Sequence, residues 1–91
     1  MAKNINMTEE LAQLKVTNRE SFSEFIELLR LDLACNPGSW ENRNLNDFLN
    51  AMSNFSEDIQ GVYDNAKHKV DADKASWQTF ADILKGATMY E

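Results

Sequence analysis

The sequence predicts an all-α domain: a small bundle of three main helices over residues 18–35, 44–65 and 76–87, with a short N-terminal helix over 9–14. Three observations predict it. Leu45, Phe48, Leu49, Met52, Phe55, Ile59, Val62 and Tyr63 recur at three- and four-residue spacing, which marks one face of a helix. Residues with capping chemistry precede each apolar run, and the single proline falls between the first two long runs. Period-two alternation and Asn-Gly or Asp-Gly pairs, the signals of hairpins, are missing.

The chain reads as one domain over 1–91, with residues 1–7 expected to fray. Thr8 can cap the short helix over 9–14, and Glu9 and Glu10 suit its positive end. With only Leu11, Ala12 and Leu14 to bury, that helix can serve only as a lid. The helix over 18–35 starts at Thr17 or Asn18, where Thr17 and Glu20 have capping-box spacing. It stops at Asn36-Pro37-Gly38, because the residue before a proline avoids helical dihedrals. At about 100° per residue, Phe22, Phe25, Ile26, Leu29 and Leu33 form one stripe, and Leu28, Leu31 and Cys35 lie nearly opposite. Such a helix is either central to the bundle or offers its second face to a partner.

Trp40 follows the turn as an aromatic anchor. Asn44 caps the next helix, with Asp47 three residues on. Its apolar face keeps phase past Gly61, so a single helix to Asn65 is expected. Leu49 is expected to be central, so that its truncation to alanine costs about 2–5 kcal/mol. Residues 66–75 have Val70 as their one large apolar side chain and read as a solvated loop. Ser76 caps the last helix. Its expected core face is Trp77, Phe80, Ala81, Leu84 and Ala87, with Gly86 marking fraying or its end. Trp40 and Trp77 are both expected to anchor the core.

A hydrophobic fraction of 43% argues for a packed interior and against disorder. Fifteen acidic and nine basic side chains give a net charge of −6, which disfavours nucleic-acid and anionic membrane partners and permits a basic protein. One cysteine cannot form an internal disulfide. With no apolar leader and no run long enough to span a bilayer, a cytoplasmic protein is expected.

The reactive residue types form no catalytic constellation. Asp71, Asp73 and Asp82 have partial EF-hand spacing, but Ala75 and Ser76 stand where a ligand and the turn glycine belong. His68 is the only histidine and cannot build a zinc site with one cysteine; it is expected to be solvated. Cys35 lies at a helix C-terminus, where the dipole disfavours a thiolate, and is expected to pack as a small hydrophobe. Glu57 and Asp58 are adjacent, so they diverge on a helix and make no acid–base pair. The glycines are too far apart for a phosphate loop. No catalytic residue, metal or cofactor is therefore expected.

Asn36-Pro37, Trp40-Glu41-Asn42, Leu45, Phe48-Leu49, Met52, Asp58, Tyr63, Ser76-Trp77, Phe80-Ala81-Asp82-Ile83-Leu84 and Tyr90-Glu91 follow one another in an order that resembles a family of small acidic bacterial proteins. That family is classed only as a domain of unknown function. The resemblance covers about residues 21–91, implies a small bacterial cytosolic protein and brings no catalytic residues. It draws attention to Glu41, Asn42 and Asp58, polar residues that either knit helix ends together or face a partner.

The leading functional expectation is a non-catalytic protein-interaction module, self-associating or inhibitor-like, with a surface of Leu28, Leu31 and Cys35 edged by Glu24 and Glu27. Its competitor is that the N-terminal helix covers this face through Leu11 and Leu14. The alternatives are a small-ligand-binding protein or enzyme with an aromatic pocket among Trp40, Tyr63 and Trp77, and an acidic mimic of nucleic acid. The expected partner is a protein or a second copy, with no nucleic acid and no membrane.

Overall fold

The computed structural model describes residues 7–91, with side chains from Glu10 onward. It contains α1 (Met7–Gln13), α2 (Arg19–Cys35), a 3-10 turn (Pro37–Ser39), α3 (Leu45–Asn65) and α4 (Trp77–Ala87), and no strand among the described residues. The protein is all-α, with three main helices and a short N-terminal one. The short helix starts earlier than expected: Met7 is its first residue and is not frayed, and Thr8 lies inside it and so does not cap it; residues 1–6 lie outside what is described.

Local hydrogen bonding fixes the helix ends. α2 is capped by Asn18 and Ser21, not by Thr17 and Glu20. Ser21 N–H donates to the Asn18 side chain at 2.8 Å, and the Ser21 hydroxyl accepts the N–H groups of Thr17 at 2.9 Å and Asn18 at 3.1 Å. Asn18 is fully extended, the conformation a cap needs immediately before the first turn. α3 and α4 begin at their expected caps: Asp47 N–H donates to Asn44 at 2.8 Å, and Thr79 N–H to Ser76 at 3.1 Å.

α3 passes through Gly61 without a break and closes in a Schellman turn. Lys67 N–H donates to the Asp64 carbonyl at 3.0 Å and His68 N–H to the Tyr63 carbonyl at 2.8 Å. Lys67 itself sits at φ 62°, a left-handed position where glycine is usual.

α4 packs on both α3 and α2, α1 packs on α2, and α2 and α3 do not pack on each other. The order in space is α1, α2, α4, α3, so α2 and α4 each have two helix neighbours, as the two apolar faces of α2 require, and α4 is the one that joins the other two long helices. Its buried residues are small: Thr79, Ala81 and Ala87. Gly86 lies inside α4 and does not end it; a Cβ there would stand 2.3 Å from the Phe55 ring of α3. Helices flanked on two sides approach closely where side chains are short.

This arrangement corrects the expected core. Trp40 is buried with Leu11, Val16, Phe25, Leu29 and Ala81. Trp77 is 37% exposed, and Phe80, Leu45, Leu49 and Val62 are exposed as well. α3 turns Ala51, Ile59 and Tyr63 inward, not its full apolar stripe. At 48% exposure Leu49 is no core residue, so the truncation cost expected of it does not apply, although its helix is correctly placed. Cys35 is exposed rather than packed, at the last residue of α2.

The same substitution in two helices should act with opposite sign. A Cβ added at Gly61 meets nothing within 4 Å, so Gly61→Ala should stabilise the protein by about 0.5–1 kcal/mol in urea unfolding. Gly86→Ala must displace an aromatic ring and should destabilise it by about 1–3 kcal/mol.

Candidate functional site

Residues 36–42 fasten three helices to one another. Asp32 is a buried carboxylate on α2. Its Oδ2 accepts the Trp40 indole N–H at 2.8 Å and its Oδ1 the Asn36 amide at 3.1 Å. The Trp40 ring stacks on Phe48 of α3 at a centroid distance of 6.0 Å. Glu41 and Asn42 N–H then both donate to the Thr88 carbonyl, at 2.9 and 3.0 Å. The Asn42 amide donates to the carbonyls of Ala87 at 2.9 Å and Tyr90 at 2.6 Å. The carbonyls of Ala87 and of the cap residue Thr88, which have no partner within the helix, are satisfied by this segment, while those of Lys85 and Gly86 accept from the N–H groups of residues 88–90. Asp58 accepts the Tyr90 hydroxyl, tying the chain end to α3. Asn42 and Asp58 thus knit helix ends through their side chains, and Glu41 does so through its backbone.

Two clefts open on roughly opposite sides of α4, given 3.6 residues per turn. The first has a volume of about 540 Å³ and is bordered by Asp82, Lys85 and Gly86 of α4, Phe55, Ile59 and Tyr63 of α3, Leu29 and Asp32 of α2, and Trp40. Its walls are deep: Leu29, Asp32, Trp40, Ile59 and Tyr63 are all buried. Leu11 of α1 also borders it. The Tyr63 hydroxyl donates to Asp82 Oδ2 at 2.6 Å and lies 3.4 Å from Thr79 Oγ1, while Gln78 donates to Asp82 Oδ1 at 2.9 Å. Burial, then the bond to Asp82, push the Tyr63 phenol up to about 12. Trp40 and Tyr63 therefore share a cleft as the aromatic-pocket alternative requires, but Trp77 does not join them. It packs on Phe22 at 5.3 Å and Phe80 at 6.2 Å between centroids.

The second cleft, of about 380 Å³, is shallower and apolar. Ile26, Leu33, Leu45, Phe48 and Leu84 border it, Leu29 and Trp40 form a wall it shares with the first cleft, and Arg30 and Arg43 stand at its margin with no acidic side chain among the described residues. Arg30 is paired with Glu27, an exposed contact that lowers the Glu27 carboxyl through its hydrogen bond. Arg43 donates to the Trp40 carbonyl at 3.2 Å and has no carboxylate partner among the described residues. Leu49 follows Leu45 by one turn and Phe80 precedes Leu84 by one turn, so the exposed apolar surface continues past the cleft.

The surface expected at Leu28, Leu31 and Cys35 is not one open patch. Leu28 and Leu14 pack against the core cluster to which α1 contributes Leu11. Leu31 is half-buried, while Cys35, Glu24 and Glu27 are exposed. Asp71 accepts the Asp73 N–H at 2.9 Å in a local turn, and Asp82 is engaged with Tyr63, so the partial EF-hand spacing brings no cage together. Among the described residues, no three His, Cys, Asp or Glu side chains gather as a metal site. His68 is exposed but not isolated: it borders the first cleft, 6.4 Å from the Tyr63 ring. Asp32 was not singled out by sequence reasoning, although an acid inside the apolar run 28–33 was the available signal. No helix among the described residues is long and apolar enough to cross a membrane.

Fold and site together define a small all-α domain whose polar residues fasten helix ends and whose clefts flank a central helix. The chain belongs to DUF7660, a family of unknown function, matched over residues 18–91. The match begins at the N-cap of α2 and leaves α1 outside it. No curated protein and no solved structure matches the chain.

Trp40→Phe keeps the ring but removes a buried donor from Asp32. It should cost about 1–3 kcal/mol in urea unfolding, whereas Trp77→Phe should change stability by much less. Tyr63 gives a pH signature. Its folded pKa of about 12 lies above the ordinary 10, so its contribution to stability is intact below pH 10 and drains as pH rises towards 12. Tyr90 is raised as well, by its bond to Asp58, so absorbance at 295 nm in the Tyr90→Phe variant should show a single tyrosinate step near pH 12 that adding Tyr63→Phe abolishes.

Proposed function

We propose that this protein is a non-catalytic, cytoplasmic protein-interaction module that docks an amphipathic helix bearing carboxylates. One observation carries the reading: Ile26, Leu45, Leu49, Trp77 and Phe80 stand exposed on one side of a domain with few large residues to spare from its core. Exposed apolar surface of this extent marks interaction sites. The cleft between Ile26, Leu45 and Leu84 has the form of a groove for the apolar face of a helix.

The margin indicates the charge of the occupant. In a chain with fifteen acids and nine bases, this cleft is bordered by two arginines and no acid. A second copy pressed on the same face would set arginine against arginine under a shared net charge of −6. An acidic amphipathic helix meets both the apolar floor and the guanidinium groups. An exposed free thiol at Cys35 suits a reducing compartment. The deep cleft on the other side supports a second reading, ligand binding.

The test uses two synthetic helical peptides with the same leucine face, one flanked by glutamates and one by lysines, titrated into the isotopically labelled protein. The glutamate peptide should shift resonances of Ile26, Leu45 and Leu84 and bind at least about tenfold more tightly than the lysine peptide. Leu45→Glu and Arg43→Glu should each abolish it, with little loss of stability because both side chains are exposed. Preference for the lysine peptide, shifts confined to other faces, or a dimer that Leu45→Glu dissociates would each overturn the proposal.

A further inference from the structure

We infer that the deep cleft between α2, α3 and α4 binds an uncharged, largely hydrocarbon molecule that carries an aromatic ring. The inference rests on the second reading above, ligand binding, and names the class of ligand; the helix-docking reading is independent of it. The size is suitable: about 540 Å³ falls within the range of small-molecule sites, roughly 300–1,000 Å³. Leu29, Trp40, Ile59 and Tyr63 give it a buried floor, and at its exposed rim Val62, Ala66 and Met89 continue the apolar surface. Three of its bordering side chains, Trp40, Phe55 and Tyr63, are rings. Rings favour offset or edge-on contact with another ring, and the Met89 thioether is a soft neighbour for one.

The polar groups of the lining are already engaged. The hydroxyls of Ser39, Tyr63 and Thr88 donate to the Asn36 carbonyl at 2.8 Å, to Asp82 at 2.6 Å and to the Lys85 carbonyl at 2.8 Å. Asp32 accepts from Trp40 and Asn36, and Asp82 accepts from Gln78 as well as Tyr63. Among the described residues, no buried side-chain nitrogen or oxygen lacks a partner. A polar ligand would therefore give up its hydration and find few groups waiting to replace it. Charge selects no sign either. Asp32 and Asp82 border the same space as Lys85 and, at the exposed rim, His68. An ion of either sign would meet like charge beside opposite charge, whereas an uncharged apolar molecule gains from leaving water.

Three probes of similar shape test this: ethylbenzene, phenethylammonium and 3-phenylpropanoate. Leu29 and Trp40 border both clefts and cannot tell them apart. The δ-methyl groups of Ile59, in the deep cleft, and Ile26, in the groove, can. Ethylbenzene should shift the Ile59 methyl resonance and leave Ile26 in place. It should bind at least about tenfold more tightly than either ion and should not weaken as salt is raised, since no charge is screened. Val62 and Met89 are exposed, so Val62→Asp combined with Met89→Asp should keep the fold. That pair of substitutions removes apolar surface from the rim and should lower the affinity for ethylbenzene about tenfold. Either ion binding as tightly as ethylbenzene at Ile59 would overturn the ligand class and leave the ligand-binding reading standing, as would an ethylbenzene affinity unchanged by the two substitutions. No shift of Ile59 with any probe, or shifts at Ile26 alone, would overturn the inference and that reading together. If the doubly substituted protein unfolds, the ranking of the three probes and its salt dependence in the wild-type protein decide the matter.

Discussion

The carbonyls at the end of α4 have no partner inside the helix, and the way they are satisfied holds the whole domain together. Lys85 and Gly86 take local donors from residues 88–90, but the carbonyls of Ala87 and the cap residue Thr88 take theirs from far away in sequence: the amide of Asn42 and the backbone N–H groups of Glu41 and Asn42. Those donors can reach α4 only if Trp40 is fixed, and Trp40 is fixed by two other helices. Its indole N–H is bound by Asp32 of α2 and its ring rests on Phe48 of α3. Three consecutive residues therefore read the positions of all three long helices. The buried carboxylate at Asp32 belongs to this arrangement, since a buried indole N–H without an acceptor would be destabilising.

A central helix with two flanking partners has two free sides. α4 has α2 on one side and α3 on another, and those two do not meet. Short side chains, Ala81, Gly86 and Ala87, lie where α4 meets its neighbours, because two helices must approach it closely. Its long side chains are left for the open sides: Phe80 and Leu84 towards one cleft, Asp82 and Lys85 towards the other. Both candidate sites follow from the same cause, that three helices in this order cannot close around one another.

Much of this was legible in the sequence, and the division follows the range of the interactions. Helix starts at Asn44 and Ser76 and the run of α3 through Gly61 depend on neighbours a few residues apart, and spacing alone located them. The cap at Asn18 was one residue from the one favoured, because Thr17 and Asn18 have similar capping chemistry and only the backbone angle separates them. Burial was less legible. Trp77, Leu45 and Leu49 were assigned inward because large apolar side chains usually face a core, but which face of α3 and α4 is inward depends on where α4 lies. Gly86 read as a helix end, since its contact with Phe55 is thirty-one positions away in sequence (86 − 55 = 31). Asn42 and Asp58 stood out as a pattern, but their acceptor and donor on residues 87–90 are contacts that no spacing rule reports.

The two clefts differ in charge in a way that the composition conceals. A net charge of −6 suggests a uniformly acidic surface, yet among the described residues the apolar groove is bordered by Arg30 and Arg43 without an acid, and the deep cleft by Asp32 and Asp82 with Lys85 and His68. Nearly all of the residues that create this difference fall within 18–91, the span shared with the family, whereas α1 lies outside it. What α1 adds is local: Leu11 borders one end of the deep cleft and contributes to the cluster against which Leu28 packs. The lid therefore acts on the face of α2 that sequence periodicity had offered to a partner, and none of its described side chains lines the arginine-bordered groove. The open apolar surface of the protein is accordingly the one formed by the family fold itself, on the side of α4 that faces away from α1.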